Sequence, residues 1–433
     1  MDRTGRAIRF IHERKHLWFK VMNSRYFPWR TAMALVMMAT TAGPAAGQLA
    51  LPDLATPVGE TLGRIERSLE PAEALTGKLN SAARDLAQQR LRRIDRLVRA
   101  NPASVDRDRD GQPARKGELL IVDPAPEAMS AASKAGFAML GEERLEELGV
   151  SVLRVAVPDA MSLAAAQRTL ARLLPGAKIA ADTLHFQSGT LDAAGKDTPA
   201  ARMTPIDAPV GMIDGGPSSV IGVEQMRGFA AGAPSPSDHG TAVASLLHHA
   251  GVRHILAADV YGSDPAGGNA LAIARALDWL IGRGARVVSI SLVGPQNALL
   301  GKAVAAAQRR GVMLVAAVGN DGPSAPPAFP ASYPGVLAVT ATDGRNRALI
   351  EAGRASHLDY AAPGADMLAL NAAGKAVRVR GTSFAVPFVA ARAAAAGPAG
   401  RARLDAEAVD LGPRGADTTY GRGLVCGACR RVK

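Results

Sequence analysis

Gly381-Thr382-Ser383-Phe384-Ala385-Val386-Pro387 reads as a sharp entry into a helix with a serine in its first turn. A helix start presents backbone N–H groups that have no partner inside the helix, so negative charge is stabilised there. A serine hydroxyl is a weak nucleophile near neutral pH. It needs a base to take its proton and donors to hold the oxyanion that its attack creates. Gly381 leaves room for another backbone to approach, and Pro387 is tolerated only near a helix start or at a kink. For this turn to do chemistry, the fold must bring a base, an orienting group and a further donor to it.

Three stretches supply them. Asp238-His239-Gly240-Thr241-Ala242-Val243-Ala244 puts a histidine where an apolar helix begins, and Gly211-Met212-Ile213-Asp214-Gly215-Gly216 ends a short apolar strand on an aspartate. Leu314-Val315-Ala316-Ala317-Val318-Gly319-Asn320-Asp321-Gly322 is a buried-type strand ending on an asparagine, whose side-chain amide can donate to an oxyanion. The chain order is Asp214, His239, Asn320, Ser383. This order and these motifs resemble the subtilisin-like serine proteases, the subtilases, over roughly residues 205–425. The resemblance implies Ser383 as nucleophile and His239 as the group that takes and returns its proton. It implies Asp214 as the holder of the imidazole, and Asn320 with the Ser383 N–H as oxyanion donors. Singly, each has a plain reading as a loop cap, a helix-start histidine, a turn asparagine or an N-cap serine. The ordered set carries the assignment.

Around these motifs, apolar strands alternate with helices. Strands are expected at Val210–Ile213, Ile255–Val260, Arg286–Leu292, Val312–Val318 and Val336–Thr340, with helices after His239, at Asn269–Gly282 and at Asn297–Arg310. That order implies an α/β fold with a doubly wound parallel sheet over residues 210–425. Ligands of such sheets bind beyond the carboxyl ends of the strands, where Asp214 and Asn320 both lie. No Gly-x-Gly-x-x-Gly follows a strand and no phosphate loop is present, which argues against nucleotide binding.

Upstream, Glu118 to Phe186 reads as strand, helix, strand, helix, strand, a small α+β domain assigned to 117–187. Its place before the catalytic part resembles the subtilase propeptide, which in that family assists folding, occupies the active-site groove and is cut off. A packed domain without regulatory role is the plain alternative. Residues 188–209 have linker composition, and self-cutting is expected between Phe186 and Pro209, with His185-Phe186-Gln187-Ser188 as the preferred window. Residues 48–116 read as a helical segment and charged linker. The linker's Asp106-Arg107-Asp108-Arg109-Asp110-Gly111 imitates a calcium loop but lacks its closing glutamate at Gly117. Arg90 to Arg99 carries five arginines, for which a solvated face is the simpler account and peripheral contact with anionic lipid the alternative.

The net charge of +12 does not point to nucleic acid, because residues 1–30 hold eight Lys/Arg against two Asp/Glu. Residues 1–47 have the basic, apolar and small-residue layout of a secretory signal, so a periplasmic or secreted protein is expected, with an uncleaved anchor as the alternative. Ser291-Leu292-Val293-Gly294-Pro295 resembles the strand along which subtilases lay a substrate in extended form. Val293 stands where a second glycine is common and should narrow the groove, favouring small or medium side chains. Phe329-Pro330-Ala331-Ser332-Tyr333-Pro334 also matches the family, where the Tyr-Pro bond is often cis. Cys426 and Cys429, in the tail 426–433, are the only cysteines, too few for a zinc site. No metal or cofactor is expected. The expected function is a self-processing serine endopeptidase acting on polypeptides, and the alternative is a catalytically silent subtilase-like binding or regulatory protein.

Overall fold

The computed structural model describes residues 81–193 and 203–430. The expected signal, the segment up to residue 80, residues 194–202 of the linker and residues 431–433 lie outside them. Among the described residues, no helix is long and apolar enough to cross a membrane.

The arginine-rich stretch is helical over residues 81–100 (α1), burying Ala83 and Ile94 and leaving Leu91 exposed. A small antiparallel sheet follows, built from β1 (Val105–Arg107), β2 (Pro113–Val122), β3 (Met139–Leu145), β4 (Val150–Ala156) and β5 (Lys178–Thr183). β2 lies between β4 and β5, β3 borders β4, and β1 pairs with the first residues of β2. Helices α2 (Pro126–Lys134) and α3 (Leu163–Leu173) cover one face around Phe137, Leu153, Leu163 and Leu170. Ser162 caps α3 by accepting from the Ala165 N–H. The sheet thus begins at Val105, inside the stretch read as linker. Asp108 organises that turn by accepting from the backbone of Asp110 and Gln112. Strand β3 has no alternating pattern because it is an exposed edge bearing Glu142, Glu143 and Arg144.

After the short strands β6 (Phe186–Gln187) and β7 (Thr190–Ala193) comes the main sheet. Its strands are β8 (Val210–Asp214), β9 (Gln225–Gly228), β10 (Ile255–Asp259), β11 (Val287–Ile290), β13 (Met313–Ala317), β14 (Leu337–Thr342) and β15 (Tyr360–Pro363), with β12 (Leu292–Val293) standing apart. They run parallel in the order β15-β14-β13-β11-β8-β10-β9. Successive residues face opposite sides. Met212, Val315 and Val339 therefore meet α4 (Asp238–His249) and α7 (Val386–Ala396), while Ile213, Val288 and Leu314 meet α5 (Ala270–Gly282) and α6 (Ala298–Arg309). From β8 the chain goes out to the edge strand β9, returns to β10 beside β8, and then crosses to β11 on the other side, so the order reverses beside β8. That reversal opens a crevice at its carboxyl end.

The free face of the small sheet, with Leu120, Val122, Val150 and Val152, packs into the same apolar cluster as α5 and α6. Beyond β15, β16 (Ala365–Leu370) and β17 (Ala376–Arg380) form a hairpin, and α8 (Gly400–Glu407) follows α7. Cys426 and Cys429 are joined as a disulfide. The cis bond in the Phe329–Pro334 stretch falls at Phe329-Pro330 and not at Tyr333-Pro334. Phe329 exchanges backbone hydrogen bonds with Gly294, whereas the Tyr333 N–H turns back to Pro330 O.

Candidate active site

Asp214 ends β8 and is fully buried, its Oδ1 accepting from the Gly215 N–H at 2.7 Å. His239 sits in the first turn of α4, which Ser237 caps by accepting from the Gly240 N–H. Gly240 has to be glycine: a Cβ there would stand 2.0 Å from Gly215 O, so only glycine lets α4 approach the end of β8. The approach brings His239 Nδ1 to 2.9 and 3.1 Å from the two Asp214 oxygens. Burial lowers the imidazole pKa, but the Asp214 charge and hydrogen bond, with the Ser188 carbonyl, outweigh it and leave His239 above its usual 6.5. Asp214 thus holds one ring nitrogen and leaves Nε2 facing the crevice.

Ser383 lies in a single 3-10 turn, Thr382–Phe384, just before α7, with Pro387 in the first positions of that helix. Gly381 precedes it at φ 148°, a backbone that disfavours side chains, and a Cβ would meet Asn320 Nδ2 and Gly189 Cα, each at 2.6 Å. Asn320 Oδ1 accepts from the Thr382 N–H at 3.0 Å, which aims the amide nitrogen at the crevice. That Nδ2 is buried and has no partner among the described residues. A buried donor left open is costly unless something else satisfies it. Asp214, His239, Asn320 and Ser383, from four distant stretches, thus meet in one place.

The crevice is filled by the chain itself. β6 runs antiparallel to β12, with Phe186 opposite Val293 and Gln187 opposite Leu292. β7 then runs antiparallel to β17. Between them, Ser188 Oγ lies 2.9 Å from Ser383 Oγ, and Ser188 O lies 3.4 Å from His239 Nε2. Ser383 Oγ also donates to Ser291 O at 3.0 Å. Of the expected substrate strand, Leu292 and Val293 pair with the preceding segment, whereas Ser291 O accepts from Ser383 and Gly294 exchanges backbone hydrogen bonds with Phe329. His185 lies over Gly294, where a Cβ would come within 2.5 Å of its ring. Gln187 Nε2 donates to Asp214 Oδ1 at 2.8 Å, a contact with no signal in the sequence. Tyr261 OH donates to His185 O, also unforeseen. No group of acids, histidines or cysteines among the described residues is arranged to hold a metal.

The model described as "Subtilase family" matches residues 228–399, which take in His239, Asn320 and Ser383. The chain belongs to the subtilase family. It is 36% identical over 180 residues to Subtilisin BL of Lederbergia lenta, covering 38% of this chain and 66% of that protein. It is 29% identical over 255 residues to Minor extracellular protease Epr of Bacillus subtilis, covering 52% of this chain and 38% of that one. This subtilase thus spans about two thirds or less of these relatives' length. Among solved structures it is similar to fervidolysin from Fervidobacterium pennivorans, with a TM-score of 0.58, 17% identity, and coverage of 76% of this chain and 64% of that one. That likeness bears on the fold alone.

Of the five arginines between Arg90 and Arg99, Arg90 and Arg93 are engaged by this subtilase's own Asp321, at 3.4 and 2.9 Å. The charge read as a solvated face is therefore partly turned toward the body of the protein.

Proposed function

We propose that this subtilase is a serine endopeptidase that cleaves extended polypeptides through Asp214, His239 and Ser383, with Asn320 and the Ser383 N–H as oxyanion donors. His239 takes the hydroxyl proton as Ser383 attacks and returns it to the departing amine, while Asp214 keeps the imidazole in one tautomer. The observation that carries the reading is the Asn320 amide nitrogen, without a partner among the described residues, beside a serine and a buried Asp–His pair at a strand-binding crevice.

The chain is made as a precursor, with residues 117–187 as the propeptide-like domain and self-cutting in the linker. The passage of β6 and β7 through the crevice supports the Ser188–Gly189 bond as the scissile one. There the Ser188 carbonyl must swing from His239 toward Asn320, and Ser383 must release Ser291 O. Export through the signal at residues 1–47 completes the reading. A serine-directed phosphonate tests it: labelling at Ser383 in processed protein is expected, and none would favour the silent binding protein.

A further inference from the structure

Asp321 follows Asn320 directly, and its side chain is only 17% exposed. It lines a cavity of about 310 Å³ walled by Val293, Gly319 and Phe329 on one side and by Arg90, Arg93 and Asp108, upstream of the proposed cut, on the other. Two cations close the acid off: Arg90 Nε at 3.4 Å from Oδ2, and an Arg93 guanidinium nitrogen at 2.9 Å from Oδ1. Both belong to α1, upstream of the proposed cut. Once the upstream fragment leaves after processing at Ser188–Gly189, Asp321 would be a half-enclosed carboxylate without its two partners at the edge of the cavity.

The register says which substrate side chain would meet it. Phe186 pairs with Val293 and also lines the cavity, and side chains of a strand alternate. Residue 188 therefore points to the same side as residue 186, whereas Gln187 turns the other way, to Asp214. Ser188 itself does not line the cavity, and its Oγ lies 2.9 Å from Ser383 Oγ. Gly319 and Asp321 both stand on the wall of that cavity.

We propose that Asp321 selects arginine or lysine in the residue immediately before the scissile bond, and that Arg90 and Arg93 stand in for that cation in the precursor. The inference rests on the endopeptidase reading above. It replaces the expectation of small or medium side chains drawn from Val293: that residue forms one wall of the cavity, and the acid Asp321 lines it as well. An arginine brings a planar fork that can bond a carboxylate twice, and a partly buried charged hydrogen bond is stronger than an exposed one.

The test uses wild-type, Asp321→Asn and Asp321→Glu protein after processing and removal of the upstream fragment, with peptides that differ only in the residue before the cut: arginine, lysine, alanine or glutamate. In wild type, kcat/KM for arginine over alanine should be about tenfold or more, one decade corresponding to about 1.4 kcal/mol. D321N should erase most of that ratio and D321E retain it, and added salt should weaken it in wild type, which a merely structural role of Asp321 would not do. Phosphonate-labelled, active protein with equal rates for arginine and alanine would overturn this inference alone. Absence of both labelling and hydrolysis would overturn the endopeptidase reading and this inference with it.

Discussion

Ser383, His239 and Asp214 act as one unit in the proposed mechanism, so their removal should not scale with their number. Ser383→Ala or His239→Ala should lower kcat by about 10⁶ and the double variant scarcely further, measured on a peptide amide. Asn320→Ala leaves nucleophile and base intact and removes one oxyanion donor, for which a fall of about 10²–10³ in kcat is expected. Asp214→Asn should cost about 10⁴. It should also move the acid limb of the pH–rate profile downward, because the charge that raises the His239 pKa is gone while the burial that lowers it remains. An unmoved acid limb would mean that His239 is not the titrating base.

Each of these residues was legible because it sits inside a short local motif: a strand end, a helix start, a glycine before a turn. Gln187 and Tyr261 were not, because their roles exist only once β6 lies in the crevice. Asp321 stands in the same motif as Asn320, yet its pairing with Arg90 and Arg93, more than two hundred residues upstream, has no local signal.

Among elements, the helices and most apolar strands of the main sheet were legible from their periods, with ends displaced by a residue or two; the buried four-residue β15, too short to show a period, was not. β9 was missed because it is an exposed edge with no apolar run, and β3 for the same reason. The alternation in Ala376-Val377-Arg378-Val379-Arg380 is a strand signal that went unread. β5 and the residues after it touch the starts of two helices. Asp182 accepts from the Leu271 N–H in the first turn of α5, and Asn297, the cap of α6, donates to Ala181 O and Thr183 Oγ1.

Two titratable groups at this junction pull against each other. Burial raises Asp182 to about 7, and burial lowers His185 to about 4, with neither ring nitrogen partnered among the described residues. The Asp182 contribution to stability is present below its unfolded value of 3.8 and is lost as pH rises through about 7. The His185 contribution is present above its unfolded value of 6.5 and is lost as pH falls through about 4. Between pH 4 and 6.5 the two slopes oppose. In an uncut Ser383→Ala background, Asp182→Asn should therefore make the melting temperature fall on acidification relative to the parent. His185→Leu should make it fall as pH rises. Parallel curves for parent and Asp182→Asn across that window would show that Asp182 is not protonated in the folded chain.

At the scale of the molecule, one segment does two things: it fills the crevice, and it joins the small sheet to the parallel one. The segment already lies on Ser383 within its own chain, so the proposed cut should be first order. Its rate should be unchanged when the precursor is diluted tenfold, and Ser383→Ala protein should remain uncut. Cutting that slows on dilution would instead mean that one molecule cuts another. Cleavage alone should not separate the parts, because Leu120, Val122, Val150 and Val152 share an apolar cluster with α5 and α6 that the cut does not touch. The two fragments should co-elute on gel filtration and be held inactive until the small sheet dissociates or is degraded. Leu120→Ala removes apolar contact from that buried face at a cost of about 2 kcal/mol, close to a thirtyfold weaker association. It should bring forward the appearance of peptidase activity after cutting without changing the rate of the cut, since Leu120 lies in the sheet packed on α5 and α6 rather than in the crevice. Activity that appears at the moment of cutting, in wild type and Leu120→Ala alike, would show that the small sheet does not inhibit.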